Sequence, residues 1–372
     1  MRRLTVTIAF AAVLATAGML AQEMSGTGPY KVLKAAKVGG EGGWDYIYAD
    51  AAGRRLYIPR GATQQGATAR LTVFNLDTLD HVGDIDGAGG HGTAVDPKVG
   101  HGFVSGKPIS MFDTKTMKMI KTIDPGPASP DGILFDAYNE RVYIFSHPTK
   151  DATVIDAKDG SVLGTIDLGG TPEEGIADGH GKLYVMMQDM PGGVAVVDVK
   201  SMKTTAHYPI GDIGRCNGLA LDSKNEVLFA ACAASGNPPT QPAQSKMVVL
   251  SATDGKILTT LDMPGGSDGA VFNPETREAF ATLGNGKLFV VKENSPTSFA
   301  IEQALDTMNG ARTIALDSKT GHIFTMADER QPPPPAPPAG TPAAEPQGRG
   351  GRGRGFFRPA VPGSFTILMI GK

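Results

Sequence analysis

Seven polar side chains recur along this chain at intervals of 46, 40, 42, 44, 51 and 44 residues: Asp45, His91, Asp131, Glu173, Asn217, Asp268 and Arg312. Four are carboxylates, Glu174 offers a fifth, and only Arg312 and His91 oppose them in charge. Carboxylates gathered in one place repel, so either their pKa values rise or a cation such as Ca²⁺ or Mg²⁺ sits among them. A glycine follows in four copies (Gly92, Gly132, Gly218 and Gly269) and lets backbone approach whatever is bound. Trp44, the single tryptophan, precedes Asp45 and could stack on a ligand or plug the first copy. His91 reads as a hydrogen-bonding wall residue rather than a metal ligand. A purely structural use of the set is polar strand ends solvated by ordered water.

What must position these residues is a repeat. Five residues after each stands an anchor: Asp50, Asp96, Asp136, Asp178, Asp222, Asn273 and Asp317. Seven residues beyond the anchor comes an aromatic, at Tyr57, Phe103, Tyr143, Phe229, Phe280 and Phe324, with Tyr184 one residue early. Copies continue into a third strand closing on a polar turn (TVFNLDT, TVIDAKDG, AVVDVKS) and then a fourth (KMIKTID, VLGTIDL, KILTTLD). A period near forty with four short strands predicts an all-β, seven-bladed β-propeller, because helices need longer apolar-periodic runs. Strand one is then innermost, and the polar column converges on one mouth of the central channel. Extra length between strands two and three, at residues 61–70, 233–245 and 331–363, falls on the same face.

Residues 1–21 carry two arginines and then an apolar run ending in small residues, which predicts a cleaved signal peptide and a secreted, periplasmic or cell-surface protein with no membrane span after cleavage. A single propeller is expected over residues 30–372. Its seventh blade would be completed by residues 30–40 as the outer strand, which removes an open sheet edge. The insertion at 331–363 is rich in Pro, Gly and Arg and is expected to be disordered. Its Arg349, Arg352, Arg354 and Arg358 beside Phe356 and Phe357 could touch single-stranded nucleic acid. An exported protein with 35 basic and 38 acidic residues does not call for that partner, and a monomer binding a small molecule or protein at the loop-bearing face is expected.

The HG, PDG, PEEG, CNG and SDG starts, followed by a short strand, a turn and strings such as VYIF, LYVM and LFAA, resemble the YVTN-type (YncE-like) family of secreted seven-bladed propellers. The resemblance implies an extracytoplasmic binding or surface module and brings no catalytic residues. There is no CxxCH, no CxxC and no tryptophan repeat of the kind quinone-holding propellers show. The seven histidines scatter along the copies without forming a cluster in sequence. The architecture is also similar to that of propeller lactonases, which implies a divalent cation held by Glu173, Asn217 and Asp268 on consecutive blades. Such an ion would polarise an ester carbonyl and acidify a bound water, with Asp131 or His91 taking the proton. The reading favoured by the sequence is a binding module with a polar, acidic channel mouth, and a metal-dependent hydrolase is its rival.

Cys216 and Cys232 are the only cysteines. Centring the fifth hairpin near Lys224 and Asn225 sets residue 217 opposite 232, so a disulfide requires a one-residue slip or bulge at the start of strand one.

Overall fold

The anchor carboxylates explain why each copy opens with a tight hairpin. Asp50 Oδ1 accepts the backbone N–H groups of Ala52 (3.1 Å) and Gly53 (2.8 Å), and Asp96, Asp136, Asp178, Asp222, Asn273 and Asp317 each accept the N–H two residues on. These Asx turns reverse the chain and launch the second strand. The fourth residue after the anchor is left-handed at Arg54 (φ 53°), Glu140 (φ 56°), Glu226 (φ 53°) and Arg277 (φ 52°), and glycine takes that position at Gly100 and Gly321.

The computed structural model describes residues 27–63, 66–189, 191–213, 215–234, 244–332 and 359–372. The expected signal peptide at 1–21 and most of the 331–363 insertion lie outside the described residues. Seven four-stranded antiparallel sheets form the blades of a propeller, each ordered in sequence from inner to outer strand except the last. The seventh takes its three inner strands from Ala315–Leu316, Ile323–Ala327 and Thr366–Gly371 and its outer strand from Lys31–Lys37, in register from Lys31 opposite Gly371 to Lys37 opposite Thr366. No helix among the described residues is long and apolar enough to cross a membrane.

The core lies between blades. The aromatic column Tyr57, Phe103, Tyr143, Tyr184, Phe229, Phe280 and Phe324 sits on the second strands and is almost wholly buried, each ring packed among apolar residues of a neighbouring blade. The outer strands face solvent, as at Lys118–Ile123, where only the last residue is buried. Two clamps hold the ring shut. Arg54 of blade one forks onto the buried Asp317 of blade seven (2.9 and 2.8 Å). At the termini, Lys372 Nζ lies 2.9 Å from Glu278 of blade six, and the Tyr30 hydroxyl donates to the same carboxylate.

The flanks of the long insertion are themselves paired. Gln331 N–H donates to Pro359 O (3.0 Å), Val361 N–H to Glu329 O (2.8 Å), and Arg330 and Ala360 form an antiparallel bridge. A short turn can therefore replace residues 333–358. That deletion is expected to leave the melting temperature within about 3 °C of the parent, roughly 2 kcal/mol for a domain of this size. A larger loss on differential scanning calorimetry would show that the segment packs on the propeller.

Candidate functional site at the channel mouth

Inner strands begin with a β-bulge in four blades: the register slips between Pro130 and Ile133, Pro172 and Gly175, Cys216 and Gly218, and Ser267 and Gly269. A bulge re-aims the side chains that it contains. Here these include Asp131, Glu173, Glu174, Asn217 and Asp268, five of the residues singled out by their spacing. Hydroxyls satisfy the exposed strand ends across blade boundaries: Thr313 Oγ1 donates to Asp45 O (2.7 Å), Thr282 Oγ1 to Arg312 O (2.7 Å) and Ser105 Oγ to Asp131 O.

Seven residues of the polar column and His147 form one chain of contacts around the mouth, in the order Glu173, His147, Asp131, His91, Asp45, Arg312, Asp268 and Asn217. His147 Nε2 lies 2.7 Å from Glu173 Oε2 and 2.8 Å from Asp131 Oδ2. His91 Nδ1 lies 3.2 Å from the other oxygen of Asp131 and 2.8 Å from Asp45 Oδ2. Arg312 Nη2 is 3.2 Å from Asp45 Oδ1, and Arg312 Nε is 2.7 Å from Asp268 Oδ2, a contact that is an ion pair rather than a well-aimed hydrogen bond. The Asn217 amide donates to Asp268 Oδ1, and its own oxygen is buried with no partner among the described residues. Four carboxylates thus alternate with three basic side chains. Mutual repulsion among acids, expected from the sequence, is relieved chiefly by pairing.

His147 was not among the residues that the spacing singled out, and it joins His91 on either side of Asp131, so the histidines that scatter in sequence meet in space. It ends the second strand of blade three, eleven residues after the anchor Asp136, and antiparallel pairing sets Ser146 opposite Pro130. The same offset in blade seven gives Asp328, whose Oδ2 accepts the indole N–H of Trp44 (2.6 Å). Trp44 is tilted against Phe365 (ring centroids 6.0 Å apart) and lies beneath the Arg312 guanidinium at 5.4 Å, on the seam between blades one and seven. Glu174 is not in the ring. It points down the channel, where its carboxylate accepts the backbone N–H groups of Leu219 (2.7 Å) and Ala270 (3.2 Å) and joins blades four, five and six. Of the cation set Glu173, Asn217 and Asp268, the structure brings Asn217 and Asp268 into contact and turns Glu173 towards His147 instead.

Burial dominates the electrostatics. It pushes the Glu173 carboxyl up to about 7 against the opposing pull of His147, and Glu174 up to about 8 despite its two backbone donors. Asp268 is also raised by burial, which outweighs the Arg312 charge. For His147 burial works the other way, yet its hydrogen bonds to Asp131 and Glu173 win and leave it at about 9. His91 is raised by its bond to Asp45. Each imidazole thus offers one N–H to two carboxylates, and a proton on Glu173 relieves part of that competition. A cluster of this kind can hold a proton, a cation or a ligand with several N–H donors.

Below the ring the channel widens into a cavity of about 320 Å³ walled by Tyr46, Ile133, Glu174, Leu219, Phe272 and Ile314. Above it, between blades one and seven, a pocket of about 530 Å³ reaches Trp44, Arg60, Arg312, Asp328 and the glycine-rich stretch Gly40–Gly43.

No protein-family model matches the chain, and no curated protein matches it. Among solved structures it is similar to U3-55K (TM-score 0.66, 9% identity, covering 92% of this chain and 98% of that one). The RRP9 WD40 repeats give a TM-score of 0.66 at 10% identity, covering 93% and 99% of the two chains. A chain of Kuenenia stuttgartiensis hydrazine synthase gives 0.62 at 14% identity, covering 76% and 92%. At these identities the likeness establishes the WD40-type seven-bladed propeller fold.

Proposed function

We propose that the protein is an exported binding propeller that takes a small, positively charged or donor-rich ligand at its channel mouth. The observation that carries this reading is the circuit itself: four carboxylates against His147, His91 and Arg312, with His91 half exposed (51%) and so open to solvent. Above about pH 7, where Glu173 is ionised and His147 still charged, the ring holds one surplus negative charge, 4 − 3, for a ligand to meet, so uptake of a cation should strengthen as pH rises from 6 to 8. The basic-then-apolar composition of residues 1–21 supports export, and the repeat starts support a YVTN-type assignment.

The rival, metal-dependent hydrolysis, is favoured by one specific feature. Asp131 is shared by two three-residue groups, Asp45 with His91 and His147 with Glu173, and within each group the donor atoms lie within 4.8 Å of one another. Imidazole nitrogens shift the expected ion from Ca²⁺ or Mg²⁺ towards Zn²⁺ or Mn²⁺.

Thermal melts of the mature protein with choline, arginine, Ca²⁺, Zn²⁺ and Mn²⁺ separate the readings. A bound probe at a hundredfold excess over its Kd is expected to add about 2.7 kcal/mol by mass action, and Asp131→Asn should erase the gain. Stabilisation by an organic cation supports the binding reading. Stabilisation by Zn²⁺ or Mn²⁺ alone, with lactone hydrolysis that Glu173→Gln abolishes, supports the hydrolase. If no probe raises the wild-type melting temperature, both fall.

A further inference from the structure

Arg60 stands at the end of the second strand of blade one, in the corresponding place to His147 but one residue earlier in its copy. It is 3% exposed, and burial pulls its guanidinium down to about 10. Among the described residues its only hydrogen bond runs from Nη2 to the Gly40 carbonyl (3.2 Å), and its Nε is buried with no acceptor. One face is filled by the Phe365 ring, 3.9 Å from Cζ. Its cross-strand neighbour is Arg70, a like charge directly opposite. Asp328, also on the pocket wall, accepts from the Trp44 indole; its charge, with that of Asp84, favours the Arg60 cation from a distance, but no ion pair joins either to Arg60 among the described residues, and burial outweighs both.

A buried guanidinium that spends one of five N–H groups and lacks a carboxylate partner is costly unless something completes it. Arg60 lines the pocket of about 530 Å³ between blades one and seven, a volume within the ordinary range for small-molecule sites. Gly40, Gly42 and Gly43 line the same wall, and the charged residues around the pocket are Arg60, Arg312 and Arg330 against Glu41 and Asp328, one positive charge in excess. We infer that this pocket binds the oxyanion group, carboxylate or phosphate, of a small molecule, with Arg60 as its counter-ion. The occupant differs in sign from the one proposed for the acidic ring, and the two sites adjoin at Arg312, which belongs to the ring and also lines this pocket.

The test uses the full mature chain in an anion-poor buffer, titrated calorimetrically with sodium benzoate and, separately, inorganic phosphate; the probe that binds identifies the oxyanion. Arg60→Met keeps the length of the side chain and removes the charge. It should weaken binding at least about tenfold, the loss of one charge-assisted hydrogen bond, while Glu173→Gln leaves binding within about twofold. With no anion present, Arg60→Met should change the melting temperature little, because relief of the buried charge offsets the lost Gly40 hydrogen bond and guanidinium contact with Phe365. Arg60→Lys, which keeps the charge without the fork, should bind more weakly than wild type and serves if the Met variant does not fold. Three results overturn the inference: no heat from either probe up to about 10 mM, equal affinity in Arg60→Met, or equal displacement by chloride, which would mean an adventitious ion only.

Discussion

Replacing Cys216 and Cys232 together by alanine is expected to lower the unfolding free energy by about 3 kcal/mol. The two residues face one another across the first two strands of blade five and are joined as a disulfide that closes a sixteen-residue loop. A loop of that length is worth about 3 kcal/mol in the chain-entropy account, because the bridge restricts the unfolded chain. Both cysteines are fully buried in the cluster that joins blades four and five, so truncation also removes apolar contact with Val248 and Leu250. The bridge sits at the bulge that turns Asn217 into the mouth, so its loss should also loosen the contact between Asn217 and Asp268. Guanidinium denaturation of the oxidised wild type, the reduced wild type and the double variant measures the effect. Equal midpoints for the oxidised and reduced wild type, with a lower one for the double variant, would show that the bridge adds nothing beyond packing.

The repeat was legible because one physical requirement wrote each column. The anchors must accept backbone N–H groups at a turn, and the aromatics must fill the seam between blades, so Asp136 and Tyr143 recur in kind. The closing of blade seven by Lys31–Lys37 followed from counting strands at the two ends. The site was legible only by half. The spacing of strand one gave seven of the eight ring members, but the ring also draws on the ends of strand two, where His147 lies. That column, eleven residues past the anchor, reads Gly61, Lys107, His147, Asp189, Ala233, Gly284 and Asp328. Its chemistry is too mixed to stand out, and only antiparallel pairing ties it to the mouth. Glu174 was misplaced by one layer for a related reason: the bulge at Pro172 turns both glutamates inward but at different depths, and no composition rule sets depth.

The second large effect concerns His147, whose removal should destabilise the mouth and take away part of the wild type's dependence on pH. In the wild type His147 is raised from 6.5 to about 9, so its contribution is fully present below pH 6.5 and is lost as pH rises through about 9. Glu173 and Glu174, raised from 4.5 to about 7 and about 8, hold protons that the unfolded chain has released, so they too favour the fold less as pH rises through that range. The signs agree, and the melting temperature should fall steadily from pH 6 to pH 9. In His147→Ala, Glu173 and Asp131 lose the cation between them while only 9% and 14% of their side-chain surface is exposed. Leaving buried charge unpaired costs about 3–5 kcal/mol. The contribution of His147 is whole at pH 6 and already partly lost at pH 8, so the substitution should cost more at pH 6 than at pH 8. In a Glu173→Gln background the same substitution has less charge to strand, and a double-mutant cycle should return about 1–3 kcal/mol of coupling. A coupling near zero, with a pH-independent loss in His147→Ala, would mean that His147 fills space at the mouth and that the alternating ring is not an electrostatic unit.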